Sequence, residues 1–443
     1  MLKEPLWLRS RSRAAVQLFT LAIMICFARS VSAQQAATTT TPPSSAAPVA
    51  DAETMKALLQ RVQDLESQVQ TLKFQIQALT PTTAATNESP AAPPLPAAAP
   101  VNASLTGHAS MPISVDADPA SPRLQLSGFG DVDWKASDLR GQTNSFALGQ
   151  VNLFITSRIN NKISFLAETV IEADSGTNEF GIEPERLLLL YSVSDRLNLQ
   201  IGRYHTGLGF YNTAYHHSAV MQTTLGRPFL FQFEDNGGIL PVHNVGVSAT
   251  GLVSSRLGLH YIAEVGNGRS ARTAISNPVQ NVEDENNGKA FNLGFYVHPP
   301  AITGLRFGLS AYHDHLTPLA SANVSENIFA GHIVYQTSRF EFLNEAVLLE
   351  HSPDNSNITI NIPGFYSQIS RRFGAYRPYF RYEYVNVPAS DPLYSDVGLL
   401  HGPRAGLRYE LAESAAFKVE VGRDMRRNLS PVNLIGTQLS FAF

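Results

Sequence analysis

The stretch from residue 206 to 241, TGLGFYNTAYHHSAVMQTTLGRPFLFQFEDNGGILP, concentrates side chains that could bind a charged solute. Donors and carboxylates facing each other across a passage would create a transverse field that acts on passing ions. The candidate solute-binding residues in and next to this stretch are Tyr204, His205, Tyr211, His216, His217, Arg227, Glu234 and Asp235. The alternative is that RPFLFQF packs against a wall and that the histidines only bind loop backbone.

Other chemistries for the same residues are less favoured by the spacing. His205, His216, His217 and His243 could bind a metal, but adjacent histidines without a ligand spacing are weak support, so we expect no metal and no cofactor. Ser218 beside two histidines could serve a hydrolase, yet no orienting carboxylate is apparent, so we expect no enzyme. Cys26 is the only cysteine and lies in the apolar segment near the start of the chain.

The elements that would position these residues are alternating strands. Residues 292–298 (NLGFYVH), 406–411 (GLRYEL) and 417–422 (FKVEVG) each place apolar side chains on one face and polar ones on the other. The polar faces carry charge, which a sandwich core would not accept and a water-filled interior would. The chain ends on the same pattern, GTQLSFAF, so that Phe443 would close a barrel at the lipid boundary.

Short and long connections alternate between these strands. Short turns are predicted at 157–161, 194–196, 254–256, 298–304, 337–339, 373–377 and 412–415, with longer connections between them, 206–241 being the longest. This pattern predicts an all-β fold, a transmembrane antiparallel barrel of about 16 strands with 14 or 18 as alternatives, preceded by a short helical coiled coil. A barrel of this size leaves an aqueous channel.

Alternation also assigns the inward-facing charges of the barrel. The basic residues expected to face the lumen are Arg306, Arg381, Arg404, Arg408 and Lys418. The acidic residues on the same face are Glu168, Glu264, Glu383, Glu410 and Glu420. Arginine suits recognition of carboxylate or phosphate, but the mixed signs fit salt bridges within the lumen equally well.

The residues before the barrel fall into segments of distinct composition. We expect a signal peptide at 1–33, a disordered linker at 34–50, a coiled coil at 51–80, a Pro/Ala-rich linker at 81–122 and the barrel at 123–443. In the coiled coil, Met55, Val62, Val69 and Ile76 alternate with leucines at heptad spacing. Branched residues at a with Leu at d favour two strands, whereas Leu59 at e would suit three.

The composition excludes two classes. A net charge of −4 does not supply the basic face of a nucleic-acid-binding protein. Mean hydropathy is −0.08, and no stretch after residue 28 has the 18 or so apolar residues of a spanning helix. These two values exclude a helical membrane protein.

Taken together, the signal peptide, the alternating strands, the terminal Phe443 and the long connection after the fifth strand resemble bacterial outer-membrane porins, in which the third external loop folds inward. The coiled coil resembles that of trimeric dicarboxylate-type porins, and LNLQIGRYHTGLGF is similar to a segment of phosphate-selective porins, although the basic ladder of the latter is not evident.

The resemblance implies passive diffusion of small hydrophilic solutes, including small anions such as dicarboxylates or phosphate. It places the barrel in the outer membrane of a Gram-negative bacterium, in contact with lipid, with the coiled coil in the periplasm. It implies a homo-oligomer, with a trimer favoured, and a barrel assembly machinery that reads Phe443. A structural or adhesive barrel and an outer-membrane hydrolase are the alternatives.

Overall fold

The computed structural model describes most of the chain after residue 122. The described residues are 123–174, 179–215, 219–234, 237–270, 283–319 and 321–443. The predicted signal peptide, both linkers and the coiled coil lie outside them.

Within the described residues, sixteen strands form one closed antiparallel barrel in which every strand pairs with its sequence neighbours and β1 pairs with β16. The strands are β1 (Arg123–Ser137), β2 (Ser145–Arg158), β3 (Ile163–Asp174), β4 (Glu179–Ser194), β5 (Leu197–His205), β6 (His243–Ser254), β7 (Leu259–Gly266), β8 (Ala290–Val297), β9 (Leu305–Leu316), β10 (Val324–Gln336), β11 (Phe340–Pro353), β12 (Ile360–Arg371), β13 (Tyr376–Asn386), β14 (Leu399–Ala412), β15 (Ala415–Arg426) and β16 (Val432–Ala442). The prediction of a 16-stranded barrel is confirmed.

Side-chain exposure follows the predicted alternation. On β8, Leu293 is 50% exposed on the outer face while its neighbour Asn292 is buried on the inner face. On β15, Val421 is exposed and Glu420 is buried. The outer face is therefore an apolar band, and the charged residues point inward, as the period of two requires.

The connections alternate in length around the barrel. Those at 195–196, 337–339 and 413–414 are short, and those at 206–242 and 387–398 are long. The β1–β2 connection lies on the side of the barrel that carries the long connections. The first residue of β1 and the last residue of β16 therefore lie on the opposite side, together with the short turns. This arrangement is the one predicted from the sequence.

The seam between β1 and β16 is closed by the last residue of the chain. The backbone N–H of Gly128 donates to the carbonyl of Phe443 at 2.9 Å, and the N–H of Phe443 donates back at 3.0 Å. The Phe443 ring covers Gly128 so closely that a Cβ on that glycine would lie 2.5 Å from the ring. Phe443 therefore continues the β1–β16 ladder and packs on the outer face of the barrel.

The 206–242 connection, named here the inner loop, contains the helical turns of the site. They are α1 (Tyr211–Ala214) and a single turn of 3₁₀ helix at Phe229–Phe231. No helix in the part of the chain that the structure describes is long and apolar enough to cross a membrane.

Candidate functional site inside the barrel

The inner loop lies inside the barrel and packs against its inner wall. Its residues Leu208, Phe210, Tyr211 and Leu230 belong to a buried apolar cluster that also contains inward-facing wall residues. Those wall residues include Ile328, Val334, Leu343, Val347, Leu349, Ile362 and Tyr366. Each fully buried aliphatic side chain contributes about 1.5–3 kcal/mol of transfer free energy, so this contact fixes the loop on the β10–β12 side.

Carboxylates of the wall bind backbone N–H groups at the start of the inner loop. Glu345 on β11 accepts hydrogen bonds from the N–H of Phe210 at 2.5 Å, from the N–H of Tyr211 at 2.8 Å and from the Tyr366 hydroxyl at 2.6 Å. Glu264 on β7 accepts from the N–H of Gly207 at 2.9 Å. These bonds satisfy N–H groups that have no partner in regular secondary structure.

Basic residues of the opposite part of the wall bind carbonyls of the next loop segment. Arg381, Arg408 and Lys418, on β13, β14 and β15, donate to loop carbonyl oxygens at 2.5–2.9 Å. The acceptors are the carbonyls of Ala219, Val220, Gln222, Thr224 and Gly226. Buried cations that bind carbonyls this way act as clamps on the backbone.

Two further carboxylates complete this set of clamps. Glu383 accepts from the N–H of Phe229 at 2.6 Å, and Glu420 accepts from the N–H of Leu225 at 3.2 Å. Glu420 also accepts from the Tyr379 hydroxyl at 2.9 Å. The inward charges of β13–β15 are thus used largely to hold the inner loop.

Arg227, expected from the sequence at the pore surface, is buried within the fold of the inner loop. Its guanidinium donates to the carbonyl of Phe231 and lies 4.2 Å from the ring centre of Phe233 and 5.5 Å from that of Tyr211. Burial lowers the pKa of Arg227 to about 10, and burial raises the pKa of Tyr211 to about 12. Arg227 remains a cation at neutral pH and links different residues of the inner loop to one another.

Glu234 and His205 lie near the junction of the inner loop with β5 and β6. Glu234 accepts from the N–H of Val242 at 2.7 Å and pairs with the Nδ1 of His243 at 3.3 Å. Burial alone would raise the pKa of Glu234, but the hydrogen bond and charge of His243 outweigh it and lower that pKa. The His205 and His243 rings are 5.5 Å apart.

The other predicted solute-binding residues are placed as follows. Tyr204 is buried against Leu166 and Leu188 on the inner wall. His216, His217 and Asp235 lie outside the described residues. The structure thus brings Tyr211 and Arg227 together, whereas Tyr204 lies on the wall. No group of three or more His, Cys, Asp or Glu side chains that could hold a metal ion is found in the described ranges.

Two of the five predicted lumen cations do not bind the loop backbone. Arg404 pairs with Asp424 and lies 3.9 Å from Glu420. The guanidinium carbon of Arg306 lies 4.4 Å from the ring centre of Tyr296 and 4.9 Å from that of Phe210. Arg306 forms no ion pair among the described residues, and its Nε has no hydrogen-bond partner there.

The apolar inner wall of β10–β12 was not predicted from the sequence. A signal for it exists, because Val347, Leu348 and Leu349 on β11 are consecutive apolar residues that must cover both faces of the strand. A strand that is apolar on both faces is buried on both faces. The inner face of β11 therefore had to be covered by another part of the chain.

A polar network ties the inner loop to two other long connections. Arg269, after β7, donates to the carbonyl of Ile239 at 2.8 Å and pairs with Glu326. His351 links Glu326, at 2.9 Å, to Asp391 in the 387–398 connection, at 2.7 Å. Burial would raise the pKa of Asp391, but the hydrogen bond and charge of His351 and two backbone N–H groups lower it.

Comparisons with known proteins give no sequence relative but several structural ones. No protein-family model matches this chain, and no curated protein matches it. The anion-selective porin from Comamonas acidovorans is similar in structure, with a TM-score of 0.52 at 12% identity, covering 73% of this chain and 100% of that one.

Two further solved structures are similar to the same extent. The outer membrane channel DcaP of Acinetobacter baumannii has a TM-score of 0.51 at 11% identity, covering 75% of this chain and 100% of that one. The outer membrane protein OmpT of Vibrio cholerae in its trimer form has a TM-score of 0.51 at 12% identity, covering 73% and 100%. At these identities the likeness establishes the fold alone: a barrel of the kind found in outer-membrane porins.

Proposed function

We propose that this protein is an outer-membrane porin that lets small hydrophilic solutes diffuse passively across the membrane. The observation that carries the proposal is the closed 16-stranded barrel with an apolar outer band and charged inward residues. A closed barrel leaves no strand edge whose backbone N–H and C=O groups lack partners, as the membrane interior requires. A barrel of this strand number encloses an aqueous passage. The similar solved structures of an anion-selective porin and of an outer membrane channel support it.

The membrane, the assembly and the partners follow from the same proposal. The outer face contacts the lipid of a Gram-negative outer membrane, and the short turns face the periplasm, where the coiled coil of residues 51–80 lies. Phe443 is read by the barrel assembly machinery before it closes the seam. The protein forms a homotrimer, which is supported by the trimer form of one similar structure.

The inner loop narrows the passage, because it occupies part of the barrel interior. Its contacts give the site residues different roles. Arg227, Tyr211 and Glu234 hold the loop in shape. His216, His217 and Asp235 remain the residues we propose for solute contact.

We further propose that small anions, such as dicarboxylates or phosphate, are among the solutes. Arg381, Arg404 and Arg408 form ion pairs with Glu383, Asp424 and Glu410, and Lys418 donates to loop carbonyls, so the donors of these cations are already used within the protein. Arg306, whose charge has no ion-pair partner in the described part of the chain, is the cation with donors to spare. Anion preference would therefore depend on Arg306 more than on the total number of arginines.

Conductance of the mature protein in a planar bilayer tests the proposal. We expect stepwise, ohmic openings, and a reversal potential under a salt gradient reports the ion preference. Barrels that insert, as shown by their heat-modifiable migration, yet never conduct would refute the channel and favour a structural barrel.

A further inference from the structure

The seven short turns of the barrel carry an excess of positive charge. With the strand residue that precedes each turn, they hold seven arginine and lysine side chains but two acidic ones, Asp195 and Glu413, among the residues that the structure describes. All nine of these side chains are exposed. At the other end, the long connections carry acidic runs such as 283–285. The end with the short turns is therefore the basic end of the barrel.

Three of these arginines form a group, named here the arginine cluster: Arg339 in the β10–β11 turn, Arg371 at the end of β12 and Arg372 in the β12–β13 turn. The backbone N–H of Arg372 donates to the carbonyl of Arg339 at 2.7 Å, which holds the two turns side by side. Arg371 is the register partner of Phe340, the residue that follows Arg339 in the chain. Neighbouring backbone positions thus present three exposed guanidinium groups.

No carboxylate of the described residues forms an ion pair with the arginine cluster. Glu341 on β11 points into the barrel, where Gln368 donates to it at 2.8 Å. Glu410 on β14 also points inward, and Arg408 donates to both of its oxygens at 2.9 Å. Three like charges held close together repel one another unless an anion offsets them. The cluster therefore favours an anion from outside the protein.

The cluster lies at the edge of the outer apolar band, next to exposed aromatic rings. The guanidinium carbon of Arg371 is 5.1 Å from the ring centre of Phe373, which is 55% exposed. The exposed ring of Tyr376 lies 5.0 Å from that of Tyr409. Two positions before Arg371, on the same outer face of β12, Ile369 is exposed as part of the apolar band. Aromatic rings at the edge of an apolar band mark the headgroup level of a membrane.

The turns that carry the cluster are too short to extend far beyond that level. The β10–β11 turn contains three residues, 337–339, and the β12–β13 turn contains four, 372–375. A chain advances at most about 3.6 Å per residue and must also return, so a four-residue turn reaches about 7 Å from the sheet. The headgroup layer on each side of a bilayer is about 5–7 Å thick. The cluster therefore lies among lipid headgroups, and a partner from the aqueous phase would have to enter that layer to reach it.

We propose that the arginine cluster binds the phosphate group of an anionic phospholipid in the membrane leaflet at the short turns. Guanidinium groups match phosphate oxygens, and basic side chains at a membrane surface attract anionic lipids. Phe342, Ile369 and Phe380 share one register row on the outer face of β11–β13 and provide apolar surface for the acyl chains. The inference rests on the proposed membrane location, in which this leaflet is the periplasmic one, and names a class of lipid for it.

The test measures binding of phosphatidylglycerol with a fluorescent acyl chain to the full-length protein in a neutral detergent, by anisotropy, with empty micelles subtracted. We expect saturable binding that unlabelled phosphatidylglycerol displaces and that phosphatidylcholine, which has no net charge, does not. Arg371→Gln combined with Arg372→Gln should weaken binding about 25-fold, because each basic side chain contributes about fivefold to the attraction of an anionic lipid. Arg371→Lys combined with Arg372→Lys keeps both charges and should retain most of the affinity.

Arg196→Gln combined with Arg256→Gln is the matched control, because it removes two exposed cations from two other short turns, one of which also carries Asp195. It should weaken binding less than about twofold. Arg339→Gln alone covers the case in which the double glutamine variant fails to fold, and it should weaken binding about fivefold.

The site is overturned if the wild type shows no saturable binding or if the folded glutamine variants of the cluster bind as well as the wild type. It is also overturned if the control variant loses as much affinity, since the attraction would then belong to the whole basic end. Soluble glycerol 3-phosphate that displaces the probe as strongly as phosphatidylglycerol does overturns the assignment to a lipid.

The site and the proposed function fail separately. A wild type that conducts but does not bind phosphatidylglycerol keeps the channel and removes this site. A wild type that binds the lipid but never conducts keeps the site and removes the channel.

Discussion

Two neighbouring segments of the inner loop are fixed in different ways. Segment 206–215 packs its Leu208, Phe210 and Tyr211 side chains into the apolar cluster that includes the inner wall of β10–β12. Segment 219–227 offers mainly backbone carbonyls to the side chains of Arg381, Arg408 and Lys418. The first contact depends mainly on buried area and shape, although Glu264 and Glu345 also accept hydrogen bonds from three of its N–H groups. The second contact depends on a few charged donors.

The difference shows which role the inward-facing basic side chains of β13–β15 have in this barrel. Apolar packing is non-directional and tolerates small shifts, whereas a buried cation that loses its carbonyls is left unsatisfied. The charged segment is therefore held in one register, and we expect the apolar segment to supply most of the attachment. Arg381 on β13 and Arg408 on β14 position the loop instead of being left free for solutes.

The largest expected effect comes from removing the closure on which both segments depend. Deletion of Phe443 removes two backbone hydrogen bonds to Gly128 and the ring that covers it. We expect loss of most folded protein in the outer membrane, measured as heat-modifiable barrel in membrane fractions. Deletion of the equally exposed Leu429 side chain by Leu429→Ala is the control; a normal yield without Phe443 would contradict the closing role.

The second-largest expected effect tests the apolar packing of segment 206–215. Tyr211→Ala removes a ring that packs on Tyr215, Phe231 and Tyr366, with ring centres 5.0, 5.9 and 5.7 Å away. Replacing a buried aromatic residue by alanine costs about 3–5 kcal/mol. We expect the loop to detach, so that single-channel conductance rises and added protease cuts the inner loop.

The control for this variant is Phe146→Ala, which removes an aromatic ring that is 78% exposed on the outer face. It should leave conductance and protease resistance at wild-type levels. If Tyr211→Ala also does so, apolar packing is not what fixes the loop.

The charged segment predicts a smaller and more local change. Lys418→Met keeps the apolar stem but removes the donor to the carbonyls of Ala219 and Thr224. Leaving buried acceptors without a partner costs about 1–3 kcal/mol. We expect noisy, variable conductance with the loop still inside the barrel. Arg404→Met, which removes a cation that does not bind the loop backbone, should behave as wild type. Complete detachment by Lys418→Met would mean that the charges, not the apolar packing, supply most of the attachment.

The sequence predicts the frame of this site better than its contacts. The alternation of turns and loops predicted about sixteen strands, and side-chain alternation predicted the faces of stretches such as 292–298, 406–411 and 417–422, because the side-chain period of a strand is fixed by its backbone. The length and aromatic content of residues 206–241 indicated a functional loop, and the structure places this loop inside the barrel. The clamps were not predictable, since Lys418 and Ala219 are far apart in sequence and meet only once the barrel has closed.

Arg227 is a second case in which the sequence did not predict the partner of a charged side chain. A cation in a polar connection suggests a solute-facing group, and nothing local in RPFLFQF indicates that its guanidinium folds back onto the carbonyl of Phe231. By contrast, the covered inner face of β11 was readable in principle, from the consecutive apolar residues Val347 to Leu349. Patterns along a strand report faces, and they do not report which distant group will pair with a charge.

The smallest effect concerns pH and extends the comparison to a connection held by a carboxylate. Asp391, in the 387–398 connection, accepts from His351 at 2.7 Å and from the N–H groups of Leu393 and Tyr394 at 3.0 and 2.7 Å. These interactions lower its pKa below the usual 3.8, although burial opposes them. Because the folded pKa is depressed, the stabilisation is present above the unfolded pKa and is lost as pH falls through the folded one.

We therefore expect this connection to open in acid, below a pH of about 4, while segment 206–215 of the inner loop stays in place, because its buried apolar packing persists when Glu264 and Glu345 are protonated. The measurement is hydrogen exchange of 387–398 against 206–215 across the acid range. Asp391→Asn should remove the acid step in 387–398, and Asp396→Asn, exposed in the same connection, should keep it. If both segments open together in acid, the two modes of attachment are coupled, and the contrast between apolar packing and charged clamps does not hold.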